Sequence, residues 1–256
     1  METPASTTPP SALVTGASTG IGEATVRLLA SRGWTVFAAA RRAERLESLA
    51  AETGCRPVPA DISEDDDVAR LLDAVASGGG IDTLVNIAGG ARGVEAVGSA
   101  VTEDWEWMYR VNVLGTMKLT RAFLPMLRAT GRGTILNLTS TAALVSYEGG
   151  GGYNAAKAAE RAMTAALRLE EAEHNVRVVE VLPGMVHTEE FSLQRLGGDR
   201  ERAEKIYEGV EKPLTAEDIA DIIAYAVSVP HHVNLDEIVV RPVAQAAAHK
   251  VIRRLP

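Results

Sequence analysis

Tyr153 and Lys157 stand four residues apart, directly after four consecutive glycines at 149–152. Residues so spaced share one face of a helix, one turn apart. A phenol has a pKa of roughly 10, and an ammonium beside it favours the phenolate and lowers that value. Such a pair can pass a proton to or from a hydroxyl or carbonyl oxygen, and the lysine can also hold a ribose hydroxyl. The pattern alone is common on helix surfaces. Two more residues join it. Ser140 lies 13 residues before the tyrosine, and its hydroxyl can hold a substrate oxygen. Asn112 lies in a helical stretch, where a polar side chain can bind water and relay protons to the lysine.

Near the start of the chain, Thr15-Gly16-Ala17-Ser18-Thr19-Gly20-Ile21-Gly22 sits between an apolar run and a helical pattern. A glycine-rich loop in that place approaches a pyrophosphate closely, and the helix start supplies free N–H groups and a favourable dipole. The spacing Gly16, Gly20, Gly22 departs from the commoner G-x-G-x-x-G. The second apolar run ends in Ala40-Arg41-Arg42, with no carboxylate to meet a ribose 2′-hydroxyl. A guanidinium suits a 2′-phosphate, so NADP(H) is the expected cofactor. The competing reading makes both arginines solvated charges at a helix start. Asp61 and Ile62 follow the third run, and Asn86, Ala88 and Gly89 close the fourth. These are strand C-termini, where ligands bind in open α/β sheets. Asp61 could accept from an adenine amino group, while Asn86 and Gly89 could line the adenosine and nicotinamide channel.

These residues need a frame. Apolar runs predict strands over 11–15, 34–40, 55–60, 81–86, 134–139, 177–182 and 237–241. Helical patterns run over 20–32, 42–52, 63–76, 153–174 and 215–227, and 103–129 holds one long or two abutting helical segments. Ser63 is the expected cap of the third helix, and the acidic run at 64–67 fits its positive end better than a metal site. Strands apolar along their whole length, alternating with helices, predict an α/β fold with a doubly wound parallel sheet flanked by helices. A single domain is expected over 10–256, with a loose tail at 1–9. The polar stretch 188–212, containing Gly197 and Gly198, is expected to be a lid-like insertion.

Composition narrows the function. A net charge of −8 and a pI near 5.3 argue against nucleic acid as a partner. Cys55 is the single cysteine, so an intrachain disulfide is impossible and a reducing, cytoplasmic setting is expected. The start METPASTTPP lacks the features of a signal peptide, and no 18-residue apolar run predicts a membrane span. His231-His232 has no ligand partners at metal spacing, so no metal is expected.

The glycine motif, Asp61, Asn86-x-Ala88-Gly89, Asn112, Ser140, Tyr153 and Lys157 resemble the classical short-chain dehydrogenase/reductase family in order and spacing. So does Pro183-Gly184-x-Val186-x-Thr188, which in that family passes the nicotinamide face and amide. The resemblance runs over 12–242 and implies a Rossmann-type fold. It implies Tyr153 as general acid in carbonyl reduction and base in alcohol oxidation. Lys157 would lower its pKa and bind the nicotinamide ribose, Ser140 would orient the substrate oxygen, and Asn112 would hold the relay water. Thr139 and Thr141 are weaker candidates on spacing. Ser18, Thr19 and Ile21 join the glycines around the cofactor.

Two departures stand out. The family's Asn-Asn-Ala-Gly is Asn86-Ile87-Ala88-Gly89 here, with Ile87 expected to support the sheet. The basic residue before Gly20 is replaced by Thr19, so cofactor preference rests on Arg41 and Arg42. Towards the C-terminus, Thr188-Glu189-Glu190-Phe191-Ser192, Ala203-Glu204-Lys205-x-Tyr207 and Val233-Asn234-x-Asp236-Glu237-x-x-x-Arg241-Pro242 resemble NADP-dependent 3-hydroxy acid (serine-type) dehydrogenases. Clavulanate-type aldehyde reductases share the Asp-Glu-Ile-x-x-Arg-Pro ending. The implied activity is hydride transfer between NADP(H) and a secondary alcohol or carbonyl, either a small 3-hydroxy acid or a larger ketone or aldehyde. The glycine run 149–152 is either the edge of a roomy pocket or a loop without substrate contact. His187, at the lid entry, is expected at the surface. The family implies a homotetramer or dimer packed through the helices carrying Asn112 and Tyr153. The alternative is a non-catalytic dinucleotide-binding regulatory protein of the same fold.

Overall fold

The computed structural model describes residues 9–254, so the expected loose tail lies, up to residue 8, outside the described residues. Seven strands form one sheet: β1 (Ser11–Thr15), β2 (Thr35–Ala40), β3 (Arg56–Pro59), β4 (Thr83–Asn86), β5 (Thr134–Leu138), β6 (Arg177–Pro183) and β7 (Glu237–Val240). All pair in parallel, in the order β3-β2-β1-β4-β5-β6-β7. The helices are α1 (Gly20–Ser31), α2 (Ala43–Thr53), α3 (Asp65–Ser77), α4 (Thr102–Tyr109), α5 (Thr116–Ala129), α6 (Gly151–Glu171), α7 (Phe191–Arg195), α8 (Arg200–Lys205) and α9 (Ala216–Ser228).

Successive strand residues point to opposite faces, and here both faces are covered, so the strands are apolar throughout. Ala12 and Val14 of β1 enter the core beneath α1, α2 and α9, while Leu13 between them enters the core beneath α3, α5 and α6. A third, smaller cluster joins Trp107, Met108 and Val113 to Tyr153 and Ala156 of α6. That cluster seats the helix bearing the tyrosine–lysine pair.

Several expectations are corrected. Ser63 does not cap α3. Glu64 takes the cap position without a side-chain bond, and the Ser63 hydroxyl donates to Asp61 Oδ1 at 2.7 Å. An ionised acceptor two residues back captures the hydroxyl, and Asp65, Asp66 and Asp67 supply the negative charge at the helix start. Of the two alternatives for 103–129, the structure has two segments, with Arg110–Gly115 forming a wide π-type turn between α4 and α5. The helix of the Tyr-Lys pair begins at Gly151, two residues earlier than the pattern suggests. The stretch 188–212, expected as a lid-like insertion, contains α7 and α8. A short antiparallel hairpin of β8 (Gln245–Ala247) and β9 (Lys250–Val251) follows the sheet and has no apolar pattern to announce it.

Candidate active site

The sheet order reverses between β1 and β4, and the loops after these strands diverge there. A cleft of about 950 Å³ opens at this point, where α/β sheets bind ligands. Its floor is the glycine loop. Gly16 and Gly20 have φ of +68° and +53°, values that L side chains rarely adopt. At Gly22 a Cβ would stand 2.2 Å from the Gly16 carbonyl oxygen. The loop therefore has room for a ligand but none for side chains of its own. Thr15 Oγ1 accepts from the amides of Ile87 and Ala88 at 3.0 and 3.1 Å, which binds the loop after β4 to the loop after β1. Thr19 caps α1 with backbone only, so the helix start keeps N–H groups for an anion.

Arg41 and Arg42 both line the cleft, but they differ. Arg41 is exposed. Arg42 donates to the Ser18 hydroxyl in the glycine loop at 3.0 Å and makes a two-pronged pair with Glu190 at 2.6 and 2.9 Å. The Glu190 carboxylate holds this guanidinium above its ordinary range, against burial. Arg42 thus carries an anionic partner from the segment after β6. Asp61 Oδ1 accepts from the Ser63 amide and hydroxyl, which fixes its carboxylate at the edge of the cleft.

At the other end of the cleft stand Ser140, Tyr153 and Lys157. Ser140 is held by its turn: its Oγ accepts from Ala142 N at 3.1 Å and donates to the Pro183 carbonyl at 3.4 Å. Tyr153 lines the same end of the cleft. Burial pushes its phenol above the ordinary value, and the Lys157 ammonium and Ser140 pull it down without cancelling the rise. The expected lowering by lysine is thus present but outweighed, and the phenol keeps its proton. The ring of Phe191 meets the Tyr153 ring edge-on at 5.7 Å.

Lys157 Nζ donates to the Leu138 carbonyl at 3.0 Å and to Glu160 Oε2 at 2.7 Å. Burial disfavours the ammonium, yet Glu160, with help from Tyr153 and Glu180, holds it above its ordinary value. Glu160 in turn is pushed up by burial and pulled down by Lys157. Its other oxygen faces the Thr116 hydroxyl at 3.4 Å, and that hydroxyl donates to the Asn112 carbonyl at 2.9 Å. The Asn112 side chain itself is spent on backbone: Nδ2 donates to Gly90 O and Met108 O, and Oδ1 accepts from Gly90 N. Its side chain therefore anchors the loop after β4. Glu160 and Thr116 link Lys157 to the Asn112 backbone carbonyl.

Sequence reasoning missed Glu160. The available signal was an acidic residue three positions after the lysine, hence on the same buried face of α6. A second acid missed in the same way is Glu180 of β6. It is fully buried, and Thr139 donates to it at 2.5 Å.

Of the sequence-predicted site residues, all line the cleft except Asn86 and Asn112. Asn86 lies behind the wall, where it donates to Asn137 Oδ1 at 2.9 Å. Pro183, Gly184, Val186 and Thr188 run along the cleft opposite the glycine loop, with Thr188 against Gly20. Ile87 packs on the sheet core as expected. His187 is exposed, its ring 4.3 Å from that of Tyr207. Among the described residues, no group of three His, Cys, Asp or Glu side chains could hold a metal ion, and no helix is long and apolar enough to cross a membrane.

Comparison with known proteins agrees with this geometry. Residues 10–195 match the model of the short chain dehydrogenase family. The chain is 40% identical over 239 residues to a serine 3-dehydrogenase of Agrobacterium fabrum, covering 92% of this chain and 95% of the relative. It is 38% identical over 245 residues to an NADP-dependent 3-hydroxy acid dehydrogenase of Salmonella typhi, covering 94% and 98%. The closed form of a serine dehydrogenase complexed with NADP+ superimposes with a TM-score of 0.90 at 37% identity, covering 96% of this chain and all of that one.

Proposed function

The chain belongs to the short chain dehydrogenase family, and on that premise we propose that it is an NADP(H)-dependent dehydrogenase of small 3-hydroxy acids. It is an oxidoreductase acting on CH–OH donors, and its cofactor is NADP(H). The glycine cradle fits that group: closed to side chains, open to a pyrophosphate, and flanked by two arginines. Gly16, Ser18, Thr19, Gly20, Ile21 and Gly22 would hold the pyrophosphate, and Asp61 and Ile62 the adenine. Ala88, Gly89, Pro183, Gly184, Val186 and Thr188 would line the nicotinamide end. Arg41 and Arg42 would meet the 2′-phosphate, which requires Arg42 to share or exchange its Glu190 partner. When bound, the cofactor supplies or takes up the hydride.

The observation that carries the reading is the buried, still protonated phenol of Tyr153 between Ser140 and Lys157. Tyr153 would give its proton to a substrate carbonyl oxygen, or take one from an alcohol, while Ser140 holds that oxygen. Lys157 would stabilise the phenolate, and Asn112 would hold the loop that completes the cleft. The stretch 188–212 reads as a lid, a view supported by Phe191 on the Tyr153 ring. Exposed Tyr109 and Leu114 near Asn112, and Leu169 on α6, support a homodimer or tetramer packed through these helices. The acidic balance and single cysteine support a cytoplasmic setting.

Tyr153→Phe tests the reading. Oxidation of 3-hydroxy acids followed by NADPH absorbance should fall by at least about 100-fold, while NADP+ affinity stays near the wild-type value. Retained turnover would remove Tyr153 from the chemistry.

A further inference from the structure

A short α-helix after β6, α7, places Phe191 and Arg195 four residues apart, hence on one face. That face looks at Tyr153. Phe191 touches the phenol ring, and the Arg195 guanidinium lies over the same ring at 5.9 Å and over Tyr147 at 5.4 Å. Arg195 is half-buried and lines the cleft. Its partners are all neutral: the Tyr147 hydroxyl at 2.9 Å and the carbonyls of Gly149 and Gly93 at 3.0 and 3.4 Å. Among the described residues no carboxylate pairs with it. Arg177 too has only neutral partners, but it does not line the cleft, whereas Arg195 does.

A half-buried guanidinium without an anionic partner, aimed at the reacting phenol, is a place for an anion from outside. We propose that Arg195 is the subsite for the substrate's carboxylate and sets the preference for 3-hydroxy acids, an inference that rests on the substrate reading above. Three of its five N–H groups are spent on neutral acceptors, which fix the fork's orientation and leave two donors for a planar carboxylate. Because the guanidinium lies over the ring of Tyr153, the anion must sit within a few bonds of the oxygen-bearing carbon. A carboxylate one methylene from the reacting carbon meets that demand. The glycine run enters here, since Gly149 supplies one of the carbonyls that set the fork. Three residues on, Gly152 admits Trp105 and Met108 to the helix start.

The test compares 3-hydroxybutanoate with its methyl ester, using wild type, Arg195→Met and Arg195→Lys with NADP+. The ratio of kcat/KM for acid over ester should fall by about 100-fold in R195M, the scale of a lost charge-assisted pair. It should fall less in R195K, which keeps the charge but not the fork. Competitive inhibition by propanoate should weaken in parallel, as a readout of binding without turnover. If acid and ester activity fall together and propanoate inhibits as before, Arg195 only braces the 147–149 loop and the inference is overturned. If the wild type binds NADP+ and oxidises uncharged alcohols but no 3-hydroxy acid, the substrate reading itself is wrong, and the subsite falls with it.

Discussion

Glu160→Gln removes the negative charge beneath Lys157 while keeping an oxygen beside its ammonium. Both side chains are almost completely buried, with their atoms 2.7 Å apart. A hydrogen bond to a charged group contributes about 1.5–3 kcal/mol and a neutral one roughly 0.5–1.5, so the exchange should lower unfolding stability by about 1–2 kcal/mol. Glu160→Leu leaves a buried ammonium without counter-charge and should cost about 3–5 kcal/mol. A pH effect accompanies the loss. A carboxylate near a phenol favours the neutral phenol, and Glu160 does raise the Tyr153 pKa. Removing it lets that pKa fall while Lys157 stays an ammonium.

Seven residues of helix separate the two, about 10.5 Å along the axis. Coulomb's law at that separation and an effective dielectric of about 20 gives roughly 1.6 kcal/mol, on the order of one pH unit. Alcohol oxidation needs the phenolate, so the limb of its kcat/KM profile should move to lower pH by about that amount. The assays are urea unfolding and NADP+ reduction across pH. Two results would refute the reasoning: a limb that stays at the wild-type position, or one that moves to higher pH because Lys157 has lost its proton.

Two further outcomes follow from other charged groups. Arg42→Ala should raise the NADP+ dissociation constant by about 10- to 100-fold, the scale of one charge-assisted contact, while shifting NAD+ affinity far less; fluorescence titration with both cofactors checks it, and equal loss for both would return Arg42 to a purely structural role. Glu180 is pushed above the ordinary carboxylate value, first by burial, so its folded pKa exceeds its unfolded one. Its stabilising contribution is full below the unfolded value and is lost as pH rises through the folded one. Glu180→Gln should therefore gain stability over wild type as pH rises through that window and hold the gain above it, as urea melts at successive pH values would show.

Much of this molecule was open to inspection in the chain itself, for physical reasons. Strands buried on two faces cannot alternate, so β1, β2 and β4 to β6 stand out as apolar runs. A loop that must close on a pyrophosphate cannot carry side chains, so Gly16, Gly20 and Gly22 announce it. What stayed hidden depends on distant partners. Glu160 looks like any exposed acid of an alanine-rich helix until β5 and α5 cover it. Arg42 and Glu190 are separated by 148 residues, and no local pattern joins them. The phenol of Tyr153 could be paired with Lys157 from spacing, but the depth of its burial, which decides the sign of its shift, could not.

The π-type turn at Arg110–Gly115 bears on which changes of length the chain can absorb. It holds one residue more than an α-helical path would, and each residue advances a helix by about 100°. Deleting one residue there would let α4 and α5 run on as a continuous helix, but with their faces rotated by that angle. Trp107 and Met108, seated against α6, and Leu119 and Phe123, seated against the sheet, could not then both find their places. Insertions and deletions should accordingly be tolerated at the open Gly79, where a Cβ would meet nothing, and rejected between Arg110 and Gly115.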